Sequence, residues 1–296
     1  MPESQMRQDP VTKHWVLYAP ARSRRPREYG SRGNDRAPVP AHDAACPFCP
    51  GNEERLAGIE MEIPGVGGTW AIRVVPNKYP ALTLEGSGIR TPAGLYRVME
   101  GFGCHEVIIE TPCHNRQPSR MSVQGVEEIV RAYDHRYSIL EALPGIRAVI
   151  LFRNHGPAAG TSLLHPHSQI IATGIVPRHI RHRDDAARSY FDDWGRCLHC
   201  DMAEQELSDG RRVVLANERF VAYVPFAAAV PFEIWIVPRR HRACFGGLTD
   251  EERADFAAAL HAVLGKLDES RGDPDYNYVI HSSAGCGADE AHLHWH

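Results

Sequence analysis

Leu164-His165-Pro166-His167-Ser168-Gln169 sets two imidazoles one residue apart around a proline, and the organisation of the whole chain turns on what each imidazole does. A neutral imidazole can bind a metal through one nitrogen, or attack phosphorus with it, once its other nitrogen is fixed by a hydrogen bond. Pro166 restricts φ, so the pair is presented with little freedom. Taken alone, the H-x-H leaves two readings open: both histidines are metal ligands, or His165 is a ligand and His167 a nucleophile. In the second, Ser168 and Gln169 offer donors to phosphoryl oxygens.

Outward from this segment, the other metal-binding residue types fall into a repeated order. The chain has 8 cysteines and 17 histidines. The first half contains Cys46-Pro47-Phe48-Cys49, then His114, then His165 in its H-x-H. The second half contains Cys197-Leu198-His199-Cys200, then His241, then His294 in another H-x-H. Nearly equal steps separate the last two members of each set, which points to a duplicated unit divided near residue 185, as 1–184 and 185–296. A C-x-x-C supplies two thiolates, and two imidazoles from distant strands complete a closed tetrahedral shell, so zinc is expected at both sets. The Pro and Gly residues around Cys46 suit a metal knuckle; at the second set His199 is a competing ligand.

Alternating or apolar runs at 71–75, 106–110, 148–152, 212–216, 220–224, 233–237 and 276–280 predict strands. Helical periodicity covers 123–143 and 250–267, the latter opened by Thr249 with Glu252 three residues on, a capping box. Residues 19–42, rich in Arg, Pro and Gly, read as an irregular arm. The class is therefore α+β, with mainly antiparallel sheets and flanking helices. With 296 residues, 43% of them hydrophobic, the chain can bury a sizeable core. A net charge of −4 argues against nucleic acid as the main partner. The absence of a long apolar run or export signal argues against a membrane, and places the chain in the cytoplasm with reduced thiols.

Several separated motifs carry a resemblance. They are Asp9-Pro10-Val11-Thr12, Pro20-Ala21-Arg22-Ser23-Arg24-Arg25-Pro26, the Cys46/Cys49 knuckle and Val75-Pro76-Asn77-Lys78-Tyr79-Pro80. They continue with Glu106 to His114 and with Phe152-Arg153-Asn154-His155-Gly156 running on to Gln169. On these the chain resembles the galactose-1-phosphate uridylyltransferase family of the histidine-triad superfamily, which implies two histidine-triad-like units. The resemblance further implies that His167 carries a nucleotidyl group, that Gln169 hydrogen-bonds the phosphoryl, and that Cys46, Cys49, His114 and His165 hold zinc. It places Arg22, Arg25, Asn77, Asn154 and Ser162 among the residues contacting nucleotide and sugar phosphate, and it implies a homodimer with a shared active site. The activity expected is transfer of a uridylyl group from UDP-glucose to galactose-1-phosphate through a covalent uridylyl-histidine.

Three departures from the family pattern bear on that expectation. Its usual H-P-H-G-Q is H-P-H-S-Q here, closer to relatives that handle adenylyl groups. Relatives with iron in the second half use a glutamate that the segment Arg178 to Arg183 lacks; Cys197, Cys200, His241 and His294 instead resemble a second zinc site of the adenylyl branch, although iron there stays open. Relatives also continue past His294-Trp295-His296, so the second half is read as truncated at its end. The alternative activity is accordingly adenylyl transfer by the same histidine, of the ADP-glucose or dinucleoside polyphosphate phosphorylase type. Two further readings are a rival nucleophile within His292-Leu293-His294-Trp295-His296, and a zinc-stapled scaffold with no catalysis. The role of His281 stays open.

Overall fold

A computed structural model describes residues 5–18, 39–284 and 294–296. In chain order the elements begin with β1 (Gln5–Gln8), β2 (Trp15–Tyr18), β3 (Met61–Pro64), β4 (Trp70–Pro76), β5 (Arg90–Ala93), β6 (Tyr96–Met99) and β7 (Gly103–Ile109). Helix α1 (Val123–Glu141), β8 (Ala148–His155) and β9 (His167–Thr173) follow. Next come α2 (Arg178–Trp194), α3 (Leu198–Asp209), β10 (Val213–Ala216), β11 (Phe220–Tyr223), β12 (Trp235–Pro238), α4 (Asp250–Arg271) and β13 (Tyr276–Ile280).

The architecture is α+β with antiparallel strand pairing in every sheet. A six-stranded sheet in the order β13-β8-β9-β7-β4-β3 dominates, beside a three-stranded sheet β10-β11-β12 and two hairpins, β1-β2 and β5-β6. Strand β13 lies beyond residue 185 yet closes the edge of a sheet whose other strands all precede it. The sheet therefore crosses the sequence division.

Because side chains alternate along a strand, the six-stranded sheet has two different faces. Ile72, Val74, Ile108, Val149, Leu151, Ile170, Ala172 and Ile280 share one core with Tyr133, Tyr137, Phe256 and Leu260 from α1 and α4. On the other face Val75, Val107 and Ile109 pack under Cys46, Phe48 and Cys49. Helix α4 also packs against β10 and β11 and so joins the two sheets. Its capping box forms as the sequence predicts, with Thr249 and Glu252 each accepting from the other's backbone N–H at 3.2 and 3.0 Å.

Helices α2 and α3 and the central strand β9 were not among the sequence-derived elements. Helix α2 buries only Ile180, Ala186 and Ala187, and the rest of its sequence is mostly charged and polar, so few apolar residues mark it as a packed element. The expectation of reduced thiols is corrected at Cys244, which is disulfide-bonded; the other six described cysteines are free. No helix among the described residues is long and apolar enough to cross a membrane.

Candidate active site and metal centres

Four predicted ligands meet on the face of the sheet opposite the helices. The turn carrying Cys46 and Cys49 closes with Cys49 N–H donating to the Cys46 carbonyl at 3.3 Å, and Asn52 braces that carbonyl at 2.8 Å. Backbone N–H groups donate to both sulfurs, from Phe48 to Cys46 at 3.4 Å and from Asp43 to Cys49 at 3.3 Å, which suits thiolates. The Nδ1 atoms of His114 and His165 lie 3.3 Å apart, with Cys49 Sγ at 3.5 and 3.6 Å from them and Cys46 Sγ at 3.7 Å from His165. Metal bonds of about 2.0–2.1 Å to nitrogen and about 2.3 Å to sulfur, at tetrahedral angles, call for ligand spacings of about 3.3–3.8 Å. The four buried side chains could therefore hold a metal ion. His165 donates its Nε2–H to the Thr111 carbonyl at 2.7 Å, which leaves the Nδ1 lone pair for the ion.

His167 opens β9 and is oriented by its own neighbour. Its Nδ1–H donates to the His165 carbonyl at 2.8 Å, so the lone pair resides on Nε2, which makes no hydrogen bond among the described residues. Burial disfavours the imidazolium and lowers the His167 pKa below the ordinary histidine value, keeping the ring neutral. Phe48 meets the His167 ring edge-on at 5.4 Å between centroids, linking the cysteine turn to this imidazole. His165, Pro166 and His167 line a cleft of about 540 Å³, together with Asn154, Asn115 and Gln117.

The alternation of β9 separates residues that sequence reasoning had grouped. Gln169 lies on the same face of the sheet as His167 but outside the cleft lining, whereas Ser168 points into the helix-covered core, so the expectation that it donates to a phosphoryl oxygen is corrected. Ser168 hydrogen-bonds Glu110 and Tyr133 inside a buried network. There Glu110 accepts from Arg153 Nε at 2.9 Å and from the Tyr133 hydroxyl at 2.9 Å, and Arg153 also reaches Gln117 at 2.6 Å.

Of the remaining predicted contacts, Asn154 lines the cleft and accepts from Asn277 at 2.7 Å. Asn77 is half-buried beside His105, and Ser162 is exposed outside the cleft lining. Arg22 and Arg25 lie outside the described residues, as does His292. Sequence reasoning missed His105, whose Nε2 lies 2.8 Å from Gln169 Oε1. The available signal was a polar residue in register with Val107 and Ile109 on an otherwise apolar strand face.

In the second set Cys197, Cys200 and His241 converge, with Cys200 Sγ 3.4 Å from His241 Nδ1. Cys197 is the N-cap of α3, and a hydrogen bond from the Cys200 thiol lowers its pKa. The predicted fourth ligand, His294, lies outside that cluster of three: its ring sits 5.3 Å from that of His241, and its buried Nε2 has no hydrogen-bond partner among the described residues. His199 does not join this cluster: its ring packs on His296 at 4.7 Å.

A family model described as galactose-1-phosphate uridyl transferase, N-terminal domain, matches residues 2–177, and its C-terminal counterpart matches 183–296. An ADP-glucose phosphorylase from Arabidopsis thaliana is 36% identical over 94% of this chain and 78% of its own length. A galactose-1-phosphate uridylyltransferase from Thermotoga maritima is 29% identical over 93% of this chain and 79% of its own. The crystal structure of an ADP-glucose phosphorylase from Arabidopsis thaliana with bound ADP-glucose superposes with a TM-score of 0.83 at 34% identity, over 99% of this chain and 87% of that one.

Proposed function

From the premise that the chain belongs to the galactose-1-phosphate uridyl transferase family, whose members are nucleotidyl-transferring enzymes, we propose that it moves a nucleotidyl group from a nucleoside-diphosphate sugar through a covalent intermediate on His167. The observation that carries this reading is the His167 tautomer: Nδ1–H is held by the His165 carbonyl, and the Nε2 lone pair is left for the cleft.

In the first half-reaction Nε2 attacks the α-phosphorus, an N–P bond forms, and the P–O bond to the sugar phosphate breaks. Neutral imidazole needs no base, and the departing phosphate dianion needs no strong acid. In the second, an oxygen of phosphate or of a sugar phosphate attacks the same phosphorus and the N–P bond breaks. Gln169 donates to the phosphoryl oxygens as charge develops, while Asn77, Asn154, Ser162, Arg22 and Arg25 are assigned to substrate contact. Cys46, Cys49, His114 and His165 are the ligands of a zinc ion, with Cys197, Cys200, His241 and His294 as a second set. Zinc held by four side chains has no open position for water and supplies rigidity rather than a nucleophile.

ADP-glucose is the favoured donor, supported by the higher identity to an ADP-glucose phosphorylase than to a uridylyltransferase. The UDP-glucose reading retains the support of the family description and of the uridylyltransferase relatives. Intact-mass spectrometry after incubation with each sugar nucleotide separates them: an adduct of about 329 Da marks an adenylyl group and about 306 Da a uridylyl group. His167→Gly is expected to abolish the adduct. Label that persists in this variant, or no label from either donor, overturns the reading.

A further inference from the structure

Resting on the reading of Gln169 as a phosphoryl donor, we propose that His105 is the positioning residue that sets the Gln169 amide, acting as a fixed N–H donor from the neighbouring strand. His105 lies on β7 and Gln169 on the adjacent β9, on the same face of the sheet as His167. A side-chain amide can present either its oxygen or its NH2 to the reacting phosphoryl group, and only the NH2 stabilises developing negative charge.

The orientation follows from three contacts. The backbone N–H of Ala81 donates to His105 Nδ1 at 3.2 Å. A backbone N–H can only donate, so Nδ1 carries the lone pair and Nε2 carries the proton. That Nε2–H donates to Gln169 Oε1 at 2.8 Å. Flipping the Gln169 amide would set NH2 against N–H, so the oxygen stays on His105, and the amide nitrogen is left without a hydrogen-bond partner among the described residues.

The same residue anchors the loop that follows β4, through its ring at Ala81 and through its backbone at Asn77. Asn77 N–H donates to the His105 carbonyl at 2.9 Å, and the Asn77 side chain holds Tyr79 N–H at 2.9 Å. The Asn77 amide nitrogen also lies 3.1 Å from His105 Nε2. Since a protonated Nε2 cannot accept, the Asn77 NH2 makes no hydrogen bond there, and this donor–donor approach is the cost of leaving the Nε2–H to the Gln169 oxygen at 2.8 Å. One imidazole thus ties a predicted substrate loop to the predicted phosphoryl donor.

The test is a double-mutant cycle on the rate of His167 nucleotidylation. His105→Phe keeps a ring but removes the donor; it is expected to slow labelling about 10–100-fold with donor affinity changed less than about threefold. In a Gln169→Ala background the same change should slow labelling by less than about threefold, and His105→Gln should recover part of the lost rate. Full additivity of the two variants overturns the proposal, as does a purely thermal effect without a rate effect. Long-range 15N correlation spectra give a readout independent of turnover: His105 protonated on Nε2 is expected, and a proton on Nδ1 overturns the proposal. Failure of the wild-type protein to label at all overturns the His167 reading first, and this inference with it.

Discussion

Ser168 stands between His167 and Gln169 on β9 and points to the opposite face of the sheet. In H-P-H-S-Q it replaces a glycine of the family pattern, and sequence alone tied that change to the choice of nucleotide. Its hydroxyl instead completes the hydrogen bonding of Glu110 and Tyr133 beneath the site. Ser168→Gly should therefore cost about 2 kcal/mol of stability, the order expected when a buried hydrogen bond to an ion-paired carboxylate is lost. The labelling rate should stay within about threefold and the donor preference should not change. Denaturant unfolding and competition between ADP-glucose and UDP-glucose check both; a switched preference would return Ser168 to the substrate.

Elements carry these residues to their places, and two of them show how. Strand β7 begins at Gly103, φ 150°, where an added Cβ would lie 2.0 Å from the Ala172 carbonyl oxygen. Only glycine allows β7 to meet β9 closely enough for His105 to reach Gln169. Helix α1 ends less favourably. Glu141 occupies its last position, where the helix dipole disfavours an anion, and burial pushes the carboxyl up to about 7 from 4.5. A folded-state pKa above the unfolded one means that folding favours the protonated acid. The resulting stability is fully present below 4.5 and lost as pH rises towards about 7. Glu141→Gln should accordingly raise the melting temperature at pH 8 and change it little at pH 4.5. Equal gains at both pH values would refute the assignment.

For the whole molecule, Cys46, Cys49, His114 and His165, which could hold a metal ion, bring a turn onto the cleft face of the six-stranded sheet. Phe48 rides on that turn and touches His167, so an ion bound there should steady the His167 ring as well as the fold. Stripping the metal, or Cys46→Ser, is expected to lower the melting temperature by about 10 °C or more. His167 labelling should slow about 10-fold or more. Zinc should restore the stripped wild type but not the variant. Full labelling by metal-free protein would show that an ion bound there does not position His167.

What the sequence by itself determined was local or periodic: the α+β class, the capped helix α4, the strand at Tyr276–Ile280, and the order of Cys46, Cys49, His114 and His165. Ligand chemistry and capping are written in residue type and spacing, so they survive without coordinates. Tertiary structure decided what depends on pairing between distant segments. It set β9 in the middle of the sheet, turned Ser168 inward, brought β13 across the sequence division to β8, and set His105 against Gln169. A strand's alternation says that two faces differ, but not which one a helix will cover. That choice belongs to the neighbouring strands and to the helices packed on them.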